Sequence, residues 1–434
     1  MRLFLMYIIG TKVKLLLIVK RVNQRYNEMS YKNTTERVIR MKFSKKIAMF
    51  ILIFDMFLTF SGVGLVIPIM PAYLKTFGAA GQALGFIIAI MAFAQFIFSP
   101  VAGNLSDRHG RKNLIVFGLV VNGLSQIAMG LSTELWMLYV SRFITGFGSA
   151  FIVPPVMAYA ADISTKAERG KAMGWIGAAI SLGFMIGPGI GGFLSTVNVH
   201  FPFYFAGGVT ILAGILSFIV LPVVKPVIQE VSTKRENLWE QMARSFKTSY
   251  FVLLIVVFVF SFGIANYQST LTMYLTYQFD YTPSDIAIIM TVGGFVGVII
   301  QGFAINKLIT RFGEMNIIMV SLIVAAFSLY GLLFVRTYSL ILFVATLFTI
   351  ATILIRPAVN TIISKTAGRE QGYAAGMNNA YMSLGNMIGP ALAGTLFDWH
   401  RDIPFTFGAI ILLSCFVLTY VWTKKNGIKQ HHFS

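Results

Sequence analysis

The chain has 434 residues, of which 56% are hydrophobic and 12% are charged, whereas about a quarter of the residues in soluble globular chains are charged. Its mean hydropathy of +0.75 therefore indicates a membrane protein and excludes a soluble catalytic domain of useful size. The net charge of +19 would favour nucleic-acid binding in a soluble protein, but in a membrane protein it can mark one side of the bilayer.

Twelve apolar runs are long enough to cross a hydrocarbon layer of about 30 Å, which takes roughly 20 residues. We expect an all-α membrane protein whose spans lie near 47–74, 83–103, 113–131, 135–160, 172–195, 203–224, 250–277, 285–305, 316–335, 338–362, 373–397 and 403–423.

Lys and Arg are distributed unevenly over the connections between these spans. The first 46 residues hold 12 of them, and alternate connections with the C-terminal tail hold 18. The opposite connections hold only Lys75, Arg336 and Arg401. This asymmetry predicts that both termini are cytoplasmic and explains the net charge without any role for nucleic acid.

The N-terminal extension, residues 1–46, interrupts its apolar run with Lys12 and Lys14, so it fits neither a span nor a signal peptide. Met41 opens a basic stretch that leads into the first span, and we expect it to be the functional start. An interfacial amphipathic arm is the alternative.

The chain repeats itself at an offset of 202 residues. SLGFMIGPGIGGFL (181–194) matches SLGNMIGPALAGTL (383–396) at nine of 14 positions. The repeats lie in spans five and eleven, which enter the membrane from the same side. We therefore predict two parallel six-helix bundles, 47–224 and 250–423, with a cytoplasmic linker at 225–249, partly helical, and a tail at 424–434.

GNLSDRHGRK, residues 103–112, places a dense charge cluster between two apolar spans. It resembles the signature after span two of the major facilitator superfamily. SRFITGFGSA around Arg142, GFMIGPGIGG (183–192) and GVGLVIPIMPAYL (62–74) resemble the motifs of spans four, five and one in its twelve-span drug:proton antiporters, and most of all in the quinolone and multidrug efflux transporters of Gram-positive bacteria.

The resemblance covers residues 41–423. It implies the major facilitator fold of two pseudo-symmetric bundles, and efflux of hydrophobic drugs in exchange for protons by alternating access. It also implies a monomer in a bacterial cell membrane. We expect no cofactor, no metal and no enzymatic activity.

The charged connection can act as a gating latch between the bundles. Asp107 can face the N-terminal end of span eleven, where the helix dipole favours an anion, while Arg111 bridges to Asp162 on the same face. Arg108 and Lys112 fit the simpler role of topogenic anchors, and the turn itself needs Gly103 and Gly110. The corresponding loop of the second half has Asn306 in place of the acid, which predicts a weaker latch or none.

A stripe of glycines on span five, Gly183, Gly187 and Gly191, lies beside Pro188 and Gly192. Small residues at this spacing allow close helix packing. The same stripe can provide a smooth contact between the bundles, which would seal the protein against ion leak.

Three charged residues lie within predicted spans, and each is a functional candidate because charge is costly in lipid: Asp55, Arg142 and Arg356. Asp55 can carry a proton, or it can be a structural partner of one of the two arginines. Resemblance leads us to expect acids in spans seven and ten, but those positions are Gln268 and Ile353. This departure puts the mode of proton coupling in question.

A pocket for varied substrates should be apolar and aromatic, with a few polar groups. The candidates expected to face the space between the bundles are Gln95, Phe184, Tyr267, Gln268, Tyr274, Gln301, Asn378 and Asn379.

Other functions fit the sequence less well. It contains no HExxH, and its GK pair lacks the first glycine of a phosphate loop. The alternative that stays open is an exporter of an endogenous metabolite, siderophore or lipid, which need not be coupled to protons.

Overall fold

The computed structural model describes residues 34–165, 168–223, 238–367 and 370–425. Within these ranges the side chains of residues 34–44, 107, 238, 239, 306, 371 and 372 are not described. The part of the chain up to Ala48 is a unit by itself, and the packing described below concerns the unit Met49–Ser434. Whether Met41 is the functional start stays a prediction, since residues 1–33 lie outside the described residues.

The described chain is helical and has twelve spans. Numbered in chain order, their bounds are Thr34–Val66, Gly81–His109, Arg111–Gly130, Leu135–Ala150 with Val153–Ile163, Arg169–Ser195, Phe201–Val220, Phe251–Gln278, Pro283–Ile299 with Ile300–Ala304 and Ile305–Phe312, Glu314–Gly331, Tyr338–Ala367, Gln371–Trp399 and Ile403–Lys425.

Eleven of these helices are long and apolar enough to cross a membrane. Span 11 is as long as the others, at 29 residues, but three asparagines and five glycines lower its hydropathy. The all-α membrane fold predicted from the apolar runs is confirmed.

Three spans depart from the continuous helices that the sequence predicts. Span 1 ends at Val66, and a turn leads into a short helix, Met70–Lys75, with Pro71 in its first turn. Span 4 breaks at Phe151 and Ile152, because two prolines open the helix that follows. Span 8 contains a π-helix at Ile300–Ala304. Apolar runs identify a crossing, but they do not record such local changes of helix geometry.

The linker predicted at 225–249 contains a helix, Leu238–Ser245. This helix lies against span 11, because the hydroxyl of Tyr373 donates to the carbonyl oxygen of Gln241 at 2.7 Å and the Arg244 guanidinium covers the Tyr373 ring at 3.9 Å. The rest of the linker up to residue 237 is outside the described residues. The boundaries of the two bundles stay predictions.

The two halves meet along two related pairs of helices. Span 2 packs against span 11, and span 5 packs against span 8. Because the repeat relates span 5 to span 11, these are two copies of one contact, as expected from a duplicated unit.

The glycine stripe of span 5 packs inside the first bundle, against span 1. A Cβ on Gly183, Gly187 or Gly191 would lie 2.7, 2.6 or 2.1 Å from a carbonyl oxygen of span 1. At the offset of 202, Gly385 and Gly389 approach span 7 in the same way. The idea that this stripe seals the two bundles against each other is therefore wrong in this structure; its role is close packing of helices.

The connections between spans alternate between two sides. We call the side of residues 107–110, 164, 165, 168, 313 and 370 the basic face, and the side of residues 67–80, 131–134, 196–200, 279–282, 332–337 and 400–402 the opposite face.

Candidate functional site: two mouths and a central cavity

At the opposite face, the carboxylate of Asp398 joins the bundles. It lies near the end of span 11 and accepts hydrogen bonds from the backbone amides of Gly81 and Gln82, both at 2.8 Å. These amides begin span 2, so they have no carbonyl partner within their own helix, and the helix dipole there favours an anion. The contact combines two charge-assisted hydrogen bonds with a favourable dipole.

Lys75 makes a second connection at the same face. Its ammonium group donates to the carbonyl oxygen of Thr276 at 3.3 Å and lies 3.8 Å from the carboxylate of Asp280. It also covers the ring of Tyr277 at 4.8 Å. The Tyr277 hydroxyl donates back across the interface to the carbonyl oxygen of Ala79 at 3.2 Å.

Glycines let the helix backbones approach closely beneath these bonds. A Cβ on Gly394 would lie 2.1 Å from the carbonyl oxygen of Gly81, and one on Gly85 would lie 2.2 Å from that of Pro390. In the related pair of helices, a Cβ on Gly192 would lie 2.4 Å from Ala287, and the hydroxyl of Ser284 donates to the Gly192 carbonyl oxygen at 2.9 Å. The opposite face is therefore tightly closed.

The same helices have open space near the basic face. A Cβ on Gly170 or Gly174 of span 5, or on Gly376 of span 11, would meet no atom of another element within 4 Å. Arg356 and Asn379 of the second bundle are exposed. The cavity between the bundles therefore opens towards the basic face.

The charged connection GNLSDRHGRK lies at this open face. The Arg111 guanidinium pairs with the Asp162 carboxylate and also donates to the Ser106 hydroxyl at 3.3 Å. Gly110 has a φ of +88°, which a side chain would disfavour, whereas Gly103 has open space around it. Arg108 is exposed, and the ammonium of Lys112 covers the ring of Phe218 at 5.3 Å.

The expected pairing of Arg111 with Asp162 is confirmed, but it connects spans 3 and 4 of one bundle. Both residues belong to the first half of the chain, so the predicted contact between the bundles depends on Asp107. The side chain of Asp107 is outside the described residues, so its approach to span 11 stays a prediction.

The second half has an equivalent ion pair that the sequence analysis missed. The Lys365 ammonium, at the end of span 10, lies 2.6 Å from the Glu314 carboxylate at the start of span 9. An offset of 203 residues relates this pair to Arg111 and Asp162 with the signs of charge exchanged. Because the acid and the base have exchanged places, a comparison of acid with acid, which leads to Asn306, does not identify the inverted pair.

Asp55 is buried, with 1% of its surface exposed. One carboxylate oxygen accepts a hydrogen bond from the Ser217 hydroxyl of span 6 at 2.7 Å, and the other has no partner among the described residues. The alternative of an ion pair with Arg142 or Arg356 is not observed among the described contacts.

Arg142 is also buried, with 4% exposed. Its guanidinium donates to the sulfur of Met91 on span 2 at 3.5 Å, while its Nε lacks a partner within the described part of the chain. The neighbouring helices carry a polar network that the sequence analysis did not single out. In it, the Asn122 amide donates to the Ser149 hydroxyl at 3.0 Å and the hydroxyls of Ser125 and Thr145 lie 2.9 Å apart.

Arg356 and Asn378 line one small cavity in the second bundle, whose walls are otherwise mostly apolar: Val257, Phe260, Ile355, Val359, Asn360 and Met382. The structure thus brings together one residue expected to couple protons and one expected to bind substrate.

The other pocket candidates fall into two groups. Phe184 is 37% exposed beside the ring of Phe60, and the remaining polar candidates are at least partly exposed: Gln95, Gln268, Gln301 and Asn379.

Two tyrosines, by contrast, pack inside the second bundle. Tyr267 stacks on Phe348 at 4.1 Å and donates to the Ala345 carbonyl oxygen at 3.3 Å. Tyr274 lies near the opposite face, where its hydroxyl accepts from Arg336 at 3.4 Å. Both are buried, so their expected orientation towards the cavity is wrong in this conformation. Aromatic stacking and a hydrogen-bond partner for the hydroxyl favour the buried position.

Comparison with known proteins decides the family. The family model of the Major Facilitator Superfamily matches residues 52–302 and 253–433. The chain belongs to the major facilitator superfamily. This member is 38% identical over 387 residues to multidrug resistance protein 2 of Bacillus subtilis (strain 168), an alignment that covers 88% of this chain and 97% of that protein.

It is 35% identical to the quinolone resistance protein NorA of Staphylococcus aureus (strain COL), over 86% of this chain and 95% of that protein. Among solved structures, a bacterial homologue of the human lysosomal transporter Spinster shares the fold. Its TM-score is 0.72 at 15% identity, over 87% of this chain and 97% of that one. The expected family and the fold of two pseudo-symmetric bundles are confirmed.

Proposed function

We propose that this membrane protein is a secondary active transporter that exports hydrophobic drugs in exchange for protons by alternating access. The observation that carries the proposal is the pair of unequal mouths: backbone contacts and Asp398 close one face, while the cavity opens at the other. A site that is reachable from one side at a time is the requirement for such transport.

The direction of export follows from the charge asymmetry. If the basic face is cytoplasmic, as its Lys and Arg content predicts, the structure has the state that loads a substrate from the cytoplasm. The similarity to proteins named for multidrug and quinolone resistance supports drugs as the cargo.

Closure of the basic face then uses the charged connection. Asp107 would approach the N-terminal end of span 11, as Asp398 approaches that of span 2 at the opposite face. In one contact span 2 provides the acid and span 11 the helix end, and in the other contact these roles are reversed. The two contacts would form in alternate states. Arg111 and Asp162 hold the connection in place for this step.

Asp55 is the candidate for carrying the proton. An ionised carboxylate with an unpartnered oxygen is costly in an apolar interior, so exchange of a proton here would be linked to a rearrangement between spans 1 and 6. Arg142 and Arg356 would act as fixed cations. Export without proton coupling, of a metabolite, siderophore or lipid, is the second candidate, favoured by the neutral Gln268 and Ile353.

The experiment is transport into inverted membrane vesicles with a panel of neutral and cationic dyes, with and without a pH gradient. We expect uptake that collapses when the gradient is removed. Uptake that is indifferent to the gradient would contradict proton coupling, and lack of uptake of every dye would favour the second candidate.

A further inference from the structure

Span 8 contains one residue more than span 2, its counterpart in the first half of the chain. Near the opposite face, Gly85 and Ala287 lie against related glycines of spans 11 and 5, and they are 202 residues apart. At the basic face the two spans end at Gly110 and Gly313, which share a positive φ of 88° and 78° and are 203 residues apart. One residue has therefore been inserted between these two points.

The π-helix Ile300–Ala304 accommodates this residue. The amide of Ile305 donates to the carbonyl oxygen of Ile300, five residues back, whereas an α-helix joins residues four apart. The helices on both sides keep α-helical geometry, so the irregularity is confined to one turn. Such turns are frequent at functional sites, and they are places where a helix bends.

Span 2 is weakened at the equivalent position by a different residue. Pro100 lies inside the helix Gly81–His109, and the offset of 202 relates it to Gly302, in the middle of the π-helix. A proline has no amide hydrogen, so the carbonyl oxygen of Phe96 loses its helical donor, and the proline ring kinks the helix. Two unrelated means of weakening related helices at one depth indicate a shared requirement for bending there.

Packing differs on the two sides of these positions. Towards the opposite face, a Cβ on Gly85 would lie 2.2 Å from a carbonyl oxygen of span 11, and one on Gly297 would lie 2.2 Å from a side chain of span 10. A Cβ on Gly302 itself, or on Gly103 closer to the basic face, would meet no described atom of another element within 4 Å. The helices are therefore held on one side of the weak point and have space on the other.

Span 4 is interrupted next to the end of span 2. Ala102 is buried in a small cluster that includes Phe151, and the two helices of span 4 are separated at Phe151 and Ile152. The end of span 2 thus packs against span 4 where span 4 is not a continuous helix. Because Arg111 and Asp162 join the basic-face ends of this part of the bundle, these ends can move together.

A small bend is enough to move the end of span 2. Pro100 lies nine residues before the end of this helix at His109, a distance of about 14 Å. A kink that changes by about 20° would move that end by about 5 Å. Such a movement can bring the charged connection, residues 103–112, to span 11 without a rotation of the whole bundle.

We propose that Pro100 and the π-helix Ile300–Ala304 are two related hinges, about which the basic-face ends of spans 2 and 8 bend towards spans 11 and 5 when the cavity closes. The contacts at the opposite face stay in place during this step, which gives a state with both mouths closed. Rotation of two rigid bundles would instead open one mouth as it closes the other. The inference rests on the proposed transport function and assigns positioning residues to one step of it.

The test removes each hinge and compares it with a matched change beside it. Pro100→Ala restores the missing amide of span 2. Deletion of Gly302 removes the extra residue of span 8 and leaves both flanking helices on their present faces, because a π turn absorbs one residue. The controls are Val101→Ala, at an exposed neighbour of the proline, and Gly302→Ala, which keeps the extra residue.

Closure of the basic face is measured by pulsed electron resonance at saturating ethidium, on purified protein in which Cys415 is replaced by serine. One pair of spin labels, His109→Cys and Glu370→Cys, joins the end of span 2 to the start of span 11. The other pair, Thr310→Cys and Lys171→Cys, joins the end of span 8 to the start of span 5. All four positions are exposed.

We expect the parent protein to show a short and a long distance for both pairs. Pro100→Ala should reduce the short-distance population of the first pair at least fivefold, and deletion of Gly302 should do so for the second pair. Export into inverted vesicles should fall at least fivefold in both variants, while ethidium binding stays within twofold. The melting temperature should not fall, because both changes restore regular helical hydrogen bonds. The two controls should behave like the parent.

Short-distance populations that are equal in the hinge variants and their controls would overturn the proposal. A lower melting temperature together with loss of ethidium binding would overturn it as well, because these residues would then serve stability alone. The proposed function is judged on the parent protein. If the parent neither closes its basic face nor moves any dye of the panel, the transport function fails; if it does both and the hinge variants match it, only the hinges fail.

Discussion

The carboxyl group of Asp55 accepts a hydrogen bond from the Ser217 hydroxyl, and its proposed role in coupling requires it to gain and lose a proton. Asp55→Asn keeps the size of the side chain and removes its ability to exchange a proton. We expect this variant to fold and to exchange substrate down its gradient at a rate within about threefold of wild type. Uphill export driven by a pH gradient should fall at least tenfold.

Counterflow and pH-driven uptake in the same proteoliposomes separate these two activities. Ser217→Ala serves as the companion variant, since it removes the hydrogen bond and keeps the acid. Full uphill export by Asp55→Asn would show that another group carries the proton.

The two ion pairs at the basic face should differ in strength because they differ in exposure. The side chains of Arg111 and Asp162 are 10% and 15% exposed, whereas those of Lys365 and Glu314 are 66% and 20% exposed. Removing one partner of a buried pair leaves an unpaired charge and costs roughly 3 kcal/mol. An exposed pair contributes about 0–1 kcal/mol.

We therefore expect Arg111→Gln to lower the melting temperature in detergent by several degrees, and Lys365→Gln to change it by less than two. The double variant Arg111→Gln/Asp162→Asn should recover part of the loss because neither charge remains. Equal effects of the two single variants would mean that burial does not determine the strength of these pairs.

Span 11 provides a controlled comparison within one helix. Gly394 touches the backbone of span 2, while Gly376, about five turns away, faces open space. Gly394→Ala would place a methyl group 2.1 Å from the carbonyl oxygen of Gly81, so the closed opposite mouth cannot form without a shift of the helices.

We expect Gly394→Ala to reduce export at least tenfold, and Gly376→Ala to leave it within about twofold of wild type. Export rates in inverted vesicles, normalised to the amount of protein in the membrane, provide the comparison. A larger loss of export in Gly376→Ala than in Gly394→Ala would mean that helix contact at the basic face, and not at the opposite face, limits export.

The positions of the helices could be predicted from the sequence more fully than the contacts of individual side chains. Apolar runs identified the crossings, and the 202-residue repeat placed spans 5 and 11 in equivalent positions. The break at Phe151 and Ile152 and the π-helix were missed because hydropathy does not record helix geometry. The donors to the Asp398 carboxylate, two backbone amides more than 300 residues away, have no sequence signature at all.

Alternating access requires the whole molecule to exchange between a state with the opposite face closed and a state with it open. Asp398 contributes to the equilibrium between these two states. Asp398→Asn replaces charge-assisted hydrogen bonds with neutral ones, which are about half as strong. A loss of about 1.4 kcal/mol shifts a two-state equilibrium tenfold, so the population with an open opposite face should rise about tenfold.

Spin labels at Val197→Cys and Ser339→Cys, one exposed position per bundle at the opposite face, report this opening as a longer distance in pulsed electron resonance. The buried Cys415 is first replaced by serine. Asp402→Asn is the control, an acid of the same face that lies beside His400. An unchanged distance distribution in Asp398→Asn would mean that the packing of glycines alone holds this face closed.

The closed mouth has one property that affects how it could be inhibited. Each of the five interbundle hydrogen bonds that the described residues form there has a peptide group on one side: the amides of Gly81 and Gln82 and the carbonyl oxygens of Ala79, Thr276 and Gly192. Every residue except proline carries both of these groups. A compound wedged against that peptide surface would therefore be hard to escape by point mutation, whereas a competitor for the central cavity meets side chains that can be exchanged one at a time.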